Sequence, residues 1–276
     1  MKPRVMSLVI FTCVVGMLIA PSQIDILSAS ISLIAVAIGA GAAGCLNMWY
    51  EADLDALMSR TCLRPIPTGK VSKFQALIFG LLTSVFSIMI LYFFSNLLSA
   101  LILTITIFFY VVIYTMWLKK RTAQNIVIGG AAGAFPPIIG WTIATGSISA
   151  EPIILFLIIF FWTPSHFWAL SLFKSDDYSN AKIPMLPIVA GIKTTKVNIF
   201  VYSIILLIVS LVPYFFGYFG LLYFLFSLIL GAYYVYLCFK LLIKEENDNN
   251  ISKKIFVYSI LYLFLIFSII LIDSIL

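Results

Sequence analysis

Oxygen-bearing side chains recur every four residues in NMWYEADLDALMSRT, which covers residues 47–61. On one helix, Asn47, Glu51 and Asp55 would span about 80° of the surface, whereas Asp53 would project from a different face. Carboxylates on one stripe in apolar surroundings repel each other and lose hydration, and a divalent cation relieves both costs. Because Mg²⁺ prefers hard oxygen ligands and a substrate phosphate, the stripe predicts a magnesium site.

The alternative interpretation of this stripe is a polar helix end that only marks the surface of a membrane. A second acidic group, Asp176 and Asp177, follows in HFWALSLFKSDDYSNAKIPMLPIVAG at residues 166–191. Pro184 and Pro187 predict a rigid, non-helical continuation after it. Taken alone, this pair of acids fits a helix cap or a turn as well as a functional site.

Basic side chains accompany both acidic groups. Acids that hold Mg²⁺, together with nearby Lys and Arg, are what the departure of a diphosphate requires, because charge develops on it as the C–O bond breaks. Taken singly, each of these basic residues is explained equally well by membrane topology. The accompanying basic residues are Arg60, Arg64, Lys119, Lys120, Arg121 and Lys174.

The composition identifies the kind of molecule that positions these groups. Of 276 residues, 63% are hydrophobic and only 10% are charged. A soluble domain is nearer half apolar and a quarter charged, so the water-soluble and disordered classes are excluded. We predict an all-α integral membrane protein with a single membrane domain over residues 1–276.

Uncharged stretches define the expected spans. One span needs about 20 apolar residues, so the uncharged runs 74–118 and 197–239 must each fold back. The polar break is Ser95-Asn96 in the first run and lies near Gly217–Gly220 in the second. Pro21 is a poor context for signal cleavage, so we expect the first segment to be retained. Nine helices are predicted, at about 5–21, 27–50, 74–94, 97–117, 124–143, 152–173, 197–216, 219–240 and 254–273.

The basic residues predict the orientation. With the N-terminus in the cytoplasm and the C-terminus outside, nine spans put all 17 Lys and Arg residues on the cytoplasmic side. This bias and the anionic inner leaflet explain the basic balance, so no nucleic-acid partner is expected. Both acidic groups then lie at cytoplasmic helix ends, which favours one site built from both.

The segment NIVIGGAAGAFPPIIGW at residues 125–141 is rich in Gly and Ala and contains Pro136-Pro137. Small residues allow helices to approach closely, and the prolines must kink or break the helix. We predict a tight packing seam with a bend that shapes a central cavity.

Together these motifs resemble one enzyme family. The pattern N47-x3-E51-x3-D55, continued by M58-x-R60-T61 and R64-P65, is similar to the first motif of the UbiA-type intramembrane prenyltransferases. Two further motifs resemble those of the haem-modifying branch of that family: LKKRTAQNIVIGGAAGAFPPIIGW and HFWALSLFKSDDY…IPMLP. The resemblance runs from Lys2 to about Gly191, and the last three helices match only in hydropathy.

The resemblance implies a bundle of nine membrane helices around a central cavity that opens to the cytoplasm, in a bacterial inner membrane. It implies transfer of farnesyl from farnesyl diphosphate to a vinyl group of haem b, with water addition and Mg²⁺, giving haem O and diphosphate. A haem A synthase is an expected partner besides the two substrates and the lipid bilayer.

The resemblance also assigns roles to residues. It places the metal on Asn47, Glu51, Asp55 and Asp177, with Asp176 completing the second acidic site. It places the diphosphate beside Arg60, Lys119, Lys120, Arg121 and Lys174. His166, the only histidine, is a candidate haem contact; the alternative is a hydrogen-bonded histidine within the bundle.

Two departures and two rival functions remain at this point. The family commonly has Asp where this chain has Glu51, and the broader D-x3-D second motif is absent because Asn180 and Ala181 follow Asp176 and Asp177 at that spacing. One rival is prenylation of a quinone precursor by the same fold. The other is a non-enzymatic transporter or haem chaperone, which acids away from the cytoplasmic face would favour.

Overall fold

The computed structural model describes residues 3–22, 24–59, 61–175, 179, 183–245 and 248–275, and the regular structure of these ranges is helical. The helices are α1 (Pro3–Leu18), α2 (Ile26–Tyr50), α3 (Ala52–Leu57), α4 (Lys73–Phe94), α5 (Leu97–Phe108), α6 (Asn125–Ala134), α7 (Pro136–Thr145), α8 (Ala150–Phe173), α9 (Leu186–Val189), α10 (Gly191–Phe215), α11 (Leu221–Leu242) and α12 (Asn249–Asp273), and a π-helix (Phe109–Leu118) continues α5.

Eight helical segments of the described chain are long and apolar enough to cross a membrane. Two of them are composite, because α5 and the π-helix together form Leu97–Leu118, and α6 and α7 together form Asn125–Thr145. The apolar part of α1, Met6–Leu18, is shorter than a typical span. The prediction of an all-helical membrane protein is confirmed, while the ninth span remains a prediction.

Helix α10 begins six residues before its predicted start at 197. It starts at Gly191, whose φ of 83° turns the chain in a way that other residues rarely adopt. Lys193 and Lys196 therefore lie within the helix instead of in a loop. The amine of Lys196 donates to the carbonyl of Lys244 at 3.1 Å, just beyond the end of α11. This contact places a positive charge near the end of α11 where the helix dipole is negative.

Two apolar cores hold the bundle together. The larger lies mainly among α8, α10, α11 and α12, and Trp168, Tyr234 and Tyr262 are fully buried in it. The smaller lies mainly among α1, α2, α5 and α7, with Val36 and Ile139 near its centre. Large apolar side chains elsewhere point outward, as a surface in contact with lipid requires.

Glycines allow α1 to approach α7 at van der Waals distance. Gly16 lies against the carbonyl of Pro137, and Gly140 lies against the carbonyl of Cys13, so a Cβ at either position would overlap the neighbouring backbone. The helix break predicted at Pro136-Pro137 is confirmed, because α6 ends at Ala134 and α7 begins at Pro136. The close approach of small residues there matches the expected packing seam.

Most of the basic residues lie in connections, or in the helix ends next to them, that gather at one end of the bundle, which we call the basic end. It comprises the described parts of the connections α3–α4, π-helix–α6, α8–α10 and α11–α12. A small apolar cluster of Met58, Ile126, Ile183 and Met185 joins three of these connections. The acidic stripe of the first motif lies beside this cluster, because Leu54 and Met58 come from α3 and its C-terminal end.

At the opposite end, Asp273 caps the start of α11. Its two carboxylate oxygens accept hydrogen bonds from the backbone nitrogens of Gly220 at 2.6 Å and Tyr223 at 3.2 Å. These amides belong to the first turn of α11, where backbone donors have no partner within the helix. The cap therefore ties α11 to the C-terminal end of α12.

Candidate active site

The first acidic stripe is held in register by hydrogen bonds across the junction of α2 and α3. The backbone nitrogen of Glu51 donates to the carbonyl of Asn47 at 3.0 Å, and that of Asp55 donates to the carbonyl of Glu51 at 2.8 Å. The predicted spacing of i, i+4 and i+8 is thus maintained although α2 ends at Tyr50. The three stripe residues are 1%, 4% and 3% exposed, respectively, so they face the interior.

Asp53 lies on a different face, as the spacing predicts. Its side chain is 87% exposed and forms an ion pair with Lys73, at 2.8 Å, at the start of α4. An exposed pair of this kind contributes little to stability. Asp53 is therefore separated from the buried carboxylates of its own motif.

Lys119 provides the positive charge beside Glu51. Its amine lies 2.6 Å from Oε1 and 2.7 Å from Oε2 of the carboxylate. Lys119 follows the π-helix directly, and its backbone nitrogen donates to the carbonyl of Tyr114 at 3.0 Å, five residues earlier. The last turn of the π-helix therefore sets the position of this lysine.

Arg64 provides the positive charge beside Asp55. Its Nη1 lies 2.6 Å from Oδ2 of Asp55, and the arginine side chain is 22% exposed. The hydroxyl of Thr61 donates to the backbone carbonyl of Asp55 at 2.9 Å and fixes the turn that follows α3. Arg64 was not among the predicted diphosphate contacts, although the sequence R64-P65 belongs to the motif that carries the resemblance.

Asn47 is held from the opposite side by Thr115 of the π-helix. The amide nitrogen of Asn47 donates to the hydroxyl oxygen of Thr115 at 3.0 Å, and both residues are 1% exposed. The Thr115 hydroxyl donates to the carbonyl of Tyr110 at 2.8 Å. Tyr110 interacts electrostatically with Glu51 and Lys119, so the π-helix forms one wall of the site.

The other predicted basic contacts lie further from the stripe or outside the described residues. Lys120, Arg121 and Lys174 are exposed at the basic end. The amine of Lys120 lies 6.0 Å from the centre of the Tyr50 ring, a cation–π arrangement. Arg60, Asp176 and Asp177 fall outside the residues that the structure describes. The structure thus brings Asn47, Glu51, Asp55 and Lys119 together and adds Arg64.

The donor set of the stripe fits a hard divalent cation. Two buried carboxylates and a buried amide lie at successive helical turns, and Mg²⁺ usually takes one or two carboxylates and retains several waters. Both carboxylates already make contacts of 2.6 Å with cationic side chains, which shows that this position favours positive charge. Within the described ranges, no group of three or more His, Cys, Asp or Glu side chains has metal-binding geometry. Besides the two carboxylates, a cation bound at the stripe would therefore need Asn47 and a substrate phosphate as ligands.

His166 packs against the larger core, through Trp162 and Phe256. Its ring is stacked between Trp162 and Phe256, with centroid distances of 4.3 Å and 4.5 Å. Nδ1 lies 2.6 Å from the hydroxyl of Ser259, and that hydroxyl donates its proton to the carbonyl of Phe256 at 2.7 Å. Nδ1 must therefore carry the ring proton and donate it to Ser259, which leaves the lone pair on Nε2.

The chain is similar to a large group of known proteins along its whole length. Residues 9–260 match the UbiA prenyltransferase family. Protoheme IX farnesyltransferase of Pelagibacter ubique is 63% identical over 278 residues, covering 100% of this chain and 92% of that protein. Protoheme IX farnesyltransferase of Parvibaculum lavamentivorans is 53% identical over 278 residues, covering 100% of this chain and 87% of that protein.

Solved structures show the same fold at low sequence identity. A structure of digeranylgeranylglyceryl phosphate synthase superposes with a TM-score of 0.82 at 20% identity, covering 99% of this chain and 95% of that chain. A UbiA homolog from Archaeoglobus fulgidus, bound to GPP and Mg²⁺, superposes with a TM-score of 0.69 at 14% identity, covering 97% of each chain.

Proposed function

Because this chain belongs to the UbiA prenyltransferase family, we propose that it transfers a farnesyl group from farnesyl diphosphate to a vinyl group of haem b. The observation that carries this proposal is the 63% identity to a protoheme IX farnesyltransferase over the full length of the chain. The products are haem O and diphosphate. Haem O is the precursor of haem A in terminal oxidases, so a haem A synthase is a proposed partner.

Mg²⁺ is the proposed cofactor, and Asn47, Glu51 and Asp55 are its proposed ligands, with Asp176 and Asp177 as the second acidic site. When bound, Mg²⁺ neutralises negative charge on the departing diphosphate. The buried oxygen stripe supports this proposal, as does the Mg²⁺ bound in the homolog from Archaeoglobus fulgidus.

Lys119 and Arg64 are the proposed diphosphate contacts that the geometry supports best. Each holds a carboxylate of the stripe, and once a cation takes over that carboxylate, the lysine or arginine can donate to phosphate oxygens instead. The exposed residues Lys120, Arg121 and Lys174 would surround the entrance at the basic end, and Arg60 is a further proposed diphosphate contact. Long-range attraction of the diphosphate is a suitable role for exposed positive charges.

The proposed reaction is an electrophilic alkylation. The C–O bond of farnesyl diphosphate breaks, diphosphate leaves with the electron pair, and an allylic cation remains. The vinyl group of haem attacks this cation, and water adds to the resulting haem-side cation with loss of a proton. The chain's residues orient diphosphate and exclude bulk water, and an alkene nucleophile needs no general base for its attack.

His166 is the proposed haem contact. Its hydrogen bond to Ser259 leaves the lone pair on Nε2, the form in which a histidine ligates iron or accepts a hydrogen bond from a propionic acid group. His166→Phe would keep the aromatic stack and remove both nitrogens. If His166 ligates the haem iron, the Soret band of bound haem b will differ between this variant and the wild type; identical spectra would exclude ligation.

We propose that the protein lies in a bacterial inner membrane with its N-terminus and the basic end in the cytoplasm and its C-terminus outside. The gathering of most basic residues at one end supports this orientation. A central cavity that opens to the cytoplasmic side would admit farnesyl diphosphate and haem b.

One assay tests the proposed function directly. Membranes that contain the protein are incubated with haem b, farnesyl diphosphate and Mg²⁺. The haems are then separated by chromatography and their masses are measured by mass spectrometry. We expect a haem that gains a farnesyl group and a hydroxyl group. Prenylation of an added quinone precursor in place of haem would contradict the proposal.

A further inference from the structure

The π-helix makes an unusual hydrogen bond through Thr115. Elsewhere in the same span, the hydroxyls of Thr104 and Thr106 donate to carbonyls four residues earlier, as threonines in α-helices do. The Thr115 hydroxyl instead donates to the carbonyl of Tyr110, five residues earlier, at 2.8 Å. The wider turn of the π-helix places that carbonyl within its reach.

This bond determines what the same hydroxyl can do for Asn47. A threonine hydroxyl has one proton, and the proton of Thr115 is directed to Tyr110. Toward Asn47, therefore, the hydroxyl can only accept a hydrogen bond. The amide of Asn47 must present its NH₂ group to Thr115, in agreement with the 3.0 Å contact from Nδ2.

The orientation of the amide decides which atom Asn47 offers to the site. With Nδ2 bonded to Thr115, the oxygen Oδ1 lies in the same amide plane and points away from Thr115. An amide binds a hard cation through oxygen and not through nitrogen. A flipped amide would present NH₂ groups to the cation and repel it.

We propose that Thr115 is a positioning residue that fixes Oδ1 of Asn47 as a metal ligand. The π-helical turn contributes by placing the Tyr110 carbonyl where it accepts the proton of the Thr115 hydroxyl. This inference rests on the proposed role of Asn47 in binding Mg²⁺. Both residues are 1% exposed, so water does not compete for the contact. Partners that orient a metal ligand typically change metal affinity by about 10- to 100-fold when they are removed.

The test measures metal binding separately from turnover. Mn²⁺ replaces Mg²⁺ in purified protein with unreactive farnesyl thiodiphosphate, and electron paramagnetic resonance reports the free metal. Thr115→Val keeps the shape of the side chain without its hydroxyl, and we expect about tenfold weaker Mn²⁺ binding. Thr115→Ser keeps the hydroxyl and should bind within about twofold of the wild type. Thr106→Val is the matched control in the same span, since the Thr106 hydroxyl donates to the carbonyl of Ile102 within its own helix.

Two further variants distinguish a loss of metal binding from a failure to fold. Thr115→Ala introduces no bulk and should show the same loss as Thr115→Val. In an Asn47→Ala background, Thr115→Val should cause no further loss, because the ligand it positions is gone. Mn²⁺ binding by Thr115→Val within twofold of the wild type would overturn the inference, as would equal losses in Thr115→Ser and Thr115→Val. Failure of the proposed function would appear separately, as wild-type protein that binds Mn²⁺ but does not farnesylate haem.

Discussion

The amine of Lys119 lies between the two carboxylate oxygens of Glu51, at 2.6 Å and 2.7 Å, although the residues are 68 positions apart in the chain. The lysine side chain is 18% exposed and the glutamate 4%, so the pair is largely removed from water. It connects the end of α2 to the end of the π-helix. The pair therefore has a structural role, and mutation can separate this role from its proposed part in metal and diphosphate binding.

Lys119→Met should destabilise the protein because it leaves the Glu51 carboxylate buried without a cation. Removing one partner of a buried pair costs about 3–5 kcal/mol, and partial exposure of the lysine lowers our expectation to about 2–4 kcal/mol. The melting temperature in detergent, followed by tryptophan fluorescence, should fall by about 5–10 °C.

The double variant Lys119→Met/Glu51→Gln removes both charges and should recover most of that stability. It should remain inactive in the haem assay, because neither the carboxylate nor the amine is present. Recovery of activity together with stability would show that the pair is only structural.

Asp55→Asn should reduce farnesyl transfer by at least about a hundredfold, because a proposed metal ligand loses its charge. Asp53→Asn is the matched control from the same short helix. Asp53 is exposed and pairs with Lys73 at the surface, so its loss should change activity by less than about twofold. Initial rates of haem O formation, at saturating Mg²⁺, compare the two variants. Similar losses in both would contradict the division of this motif into a buried and an exposed face.

Arg64→Ala should lower kcat/KM for farnesyl diphosphate by about 10- to 100-fold, since a hydrogen bond between charged groups is worth about 1.5–3 kcal/mol. Arg64→Lys retains the charge and should lose less. Lys70 is an exposed basic residue of the same connection, and Lys70→Ala should leave the constant unchanged. Steady-state kinetics with varied farnesyl diphosphate provide the measurement. An equal loss of kcat/KM in Lys70→Ala would show that the α3–α4 connection acts only through its total positive charge.

Asp273→Ala should lower stability without removing activity. The side chain caps α11 through Gly220 and Tyr223, and loss of such a cap costs about 1 kcal/mol. A fall of about 2–4 °C in melting temperature is expected, with normal haem farnesylation below that temperature. Loss of farnesylation in protein that melts normally would assign the C-terminal end an unexpected part in the reaction.

The sequence predicted the stripe correctly because helical periodicity alone places Asn47, Glu51 and Asp55 on one face and Asp53 on another. The choice of counter-charges depended on tertiary contacts that periodicity does not contain. Arg60 and Arg64 are four residues apart in one connection, and only the turn fixed by Thr61 shows that Arg64 reaches Asp55.

The π-helix had no detectable signal in the sequence. Its residues, FYVVIYTMWL, are apolar and fit an ordinary span, so the helix was predicted as uniform over 97–117. The contact between Thr115 and Asn47 joins segments 68 residues apart and depends on that altered register. Physical packing between helices, and not local preference, decides such features.

The ion pairs of the site also bear on how the protein is made. Glu51 with Lys119, and Asp55 with Arg64, give two negative and two positive charges, so this part of the site is electrically neutral before any metal arrives. A nascent chain can therefore enter the bilayer and fold without waiting for Mg²⁺, which avoids the cost of burying two bare carboxylates. Folding of this part of the bundle is thereby uncoupled from occupancy of the proposed metal site.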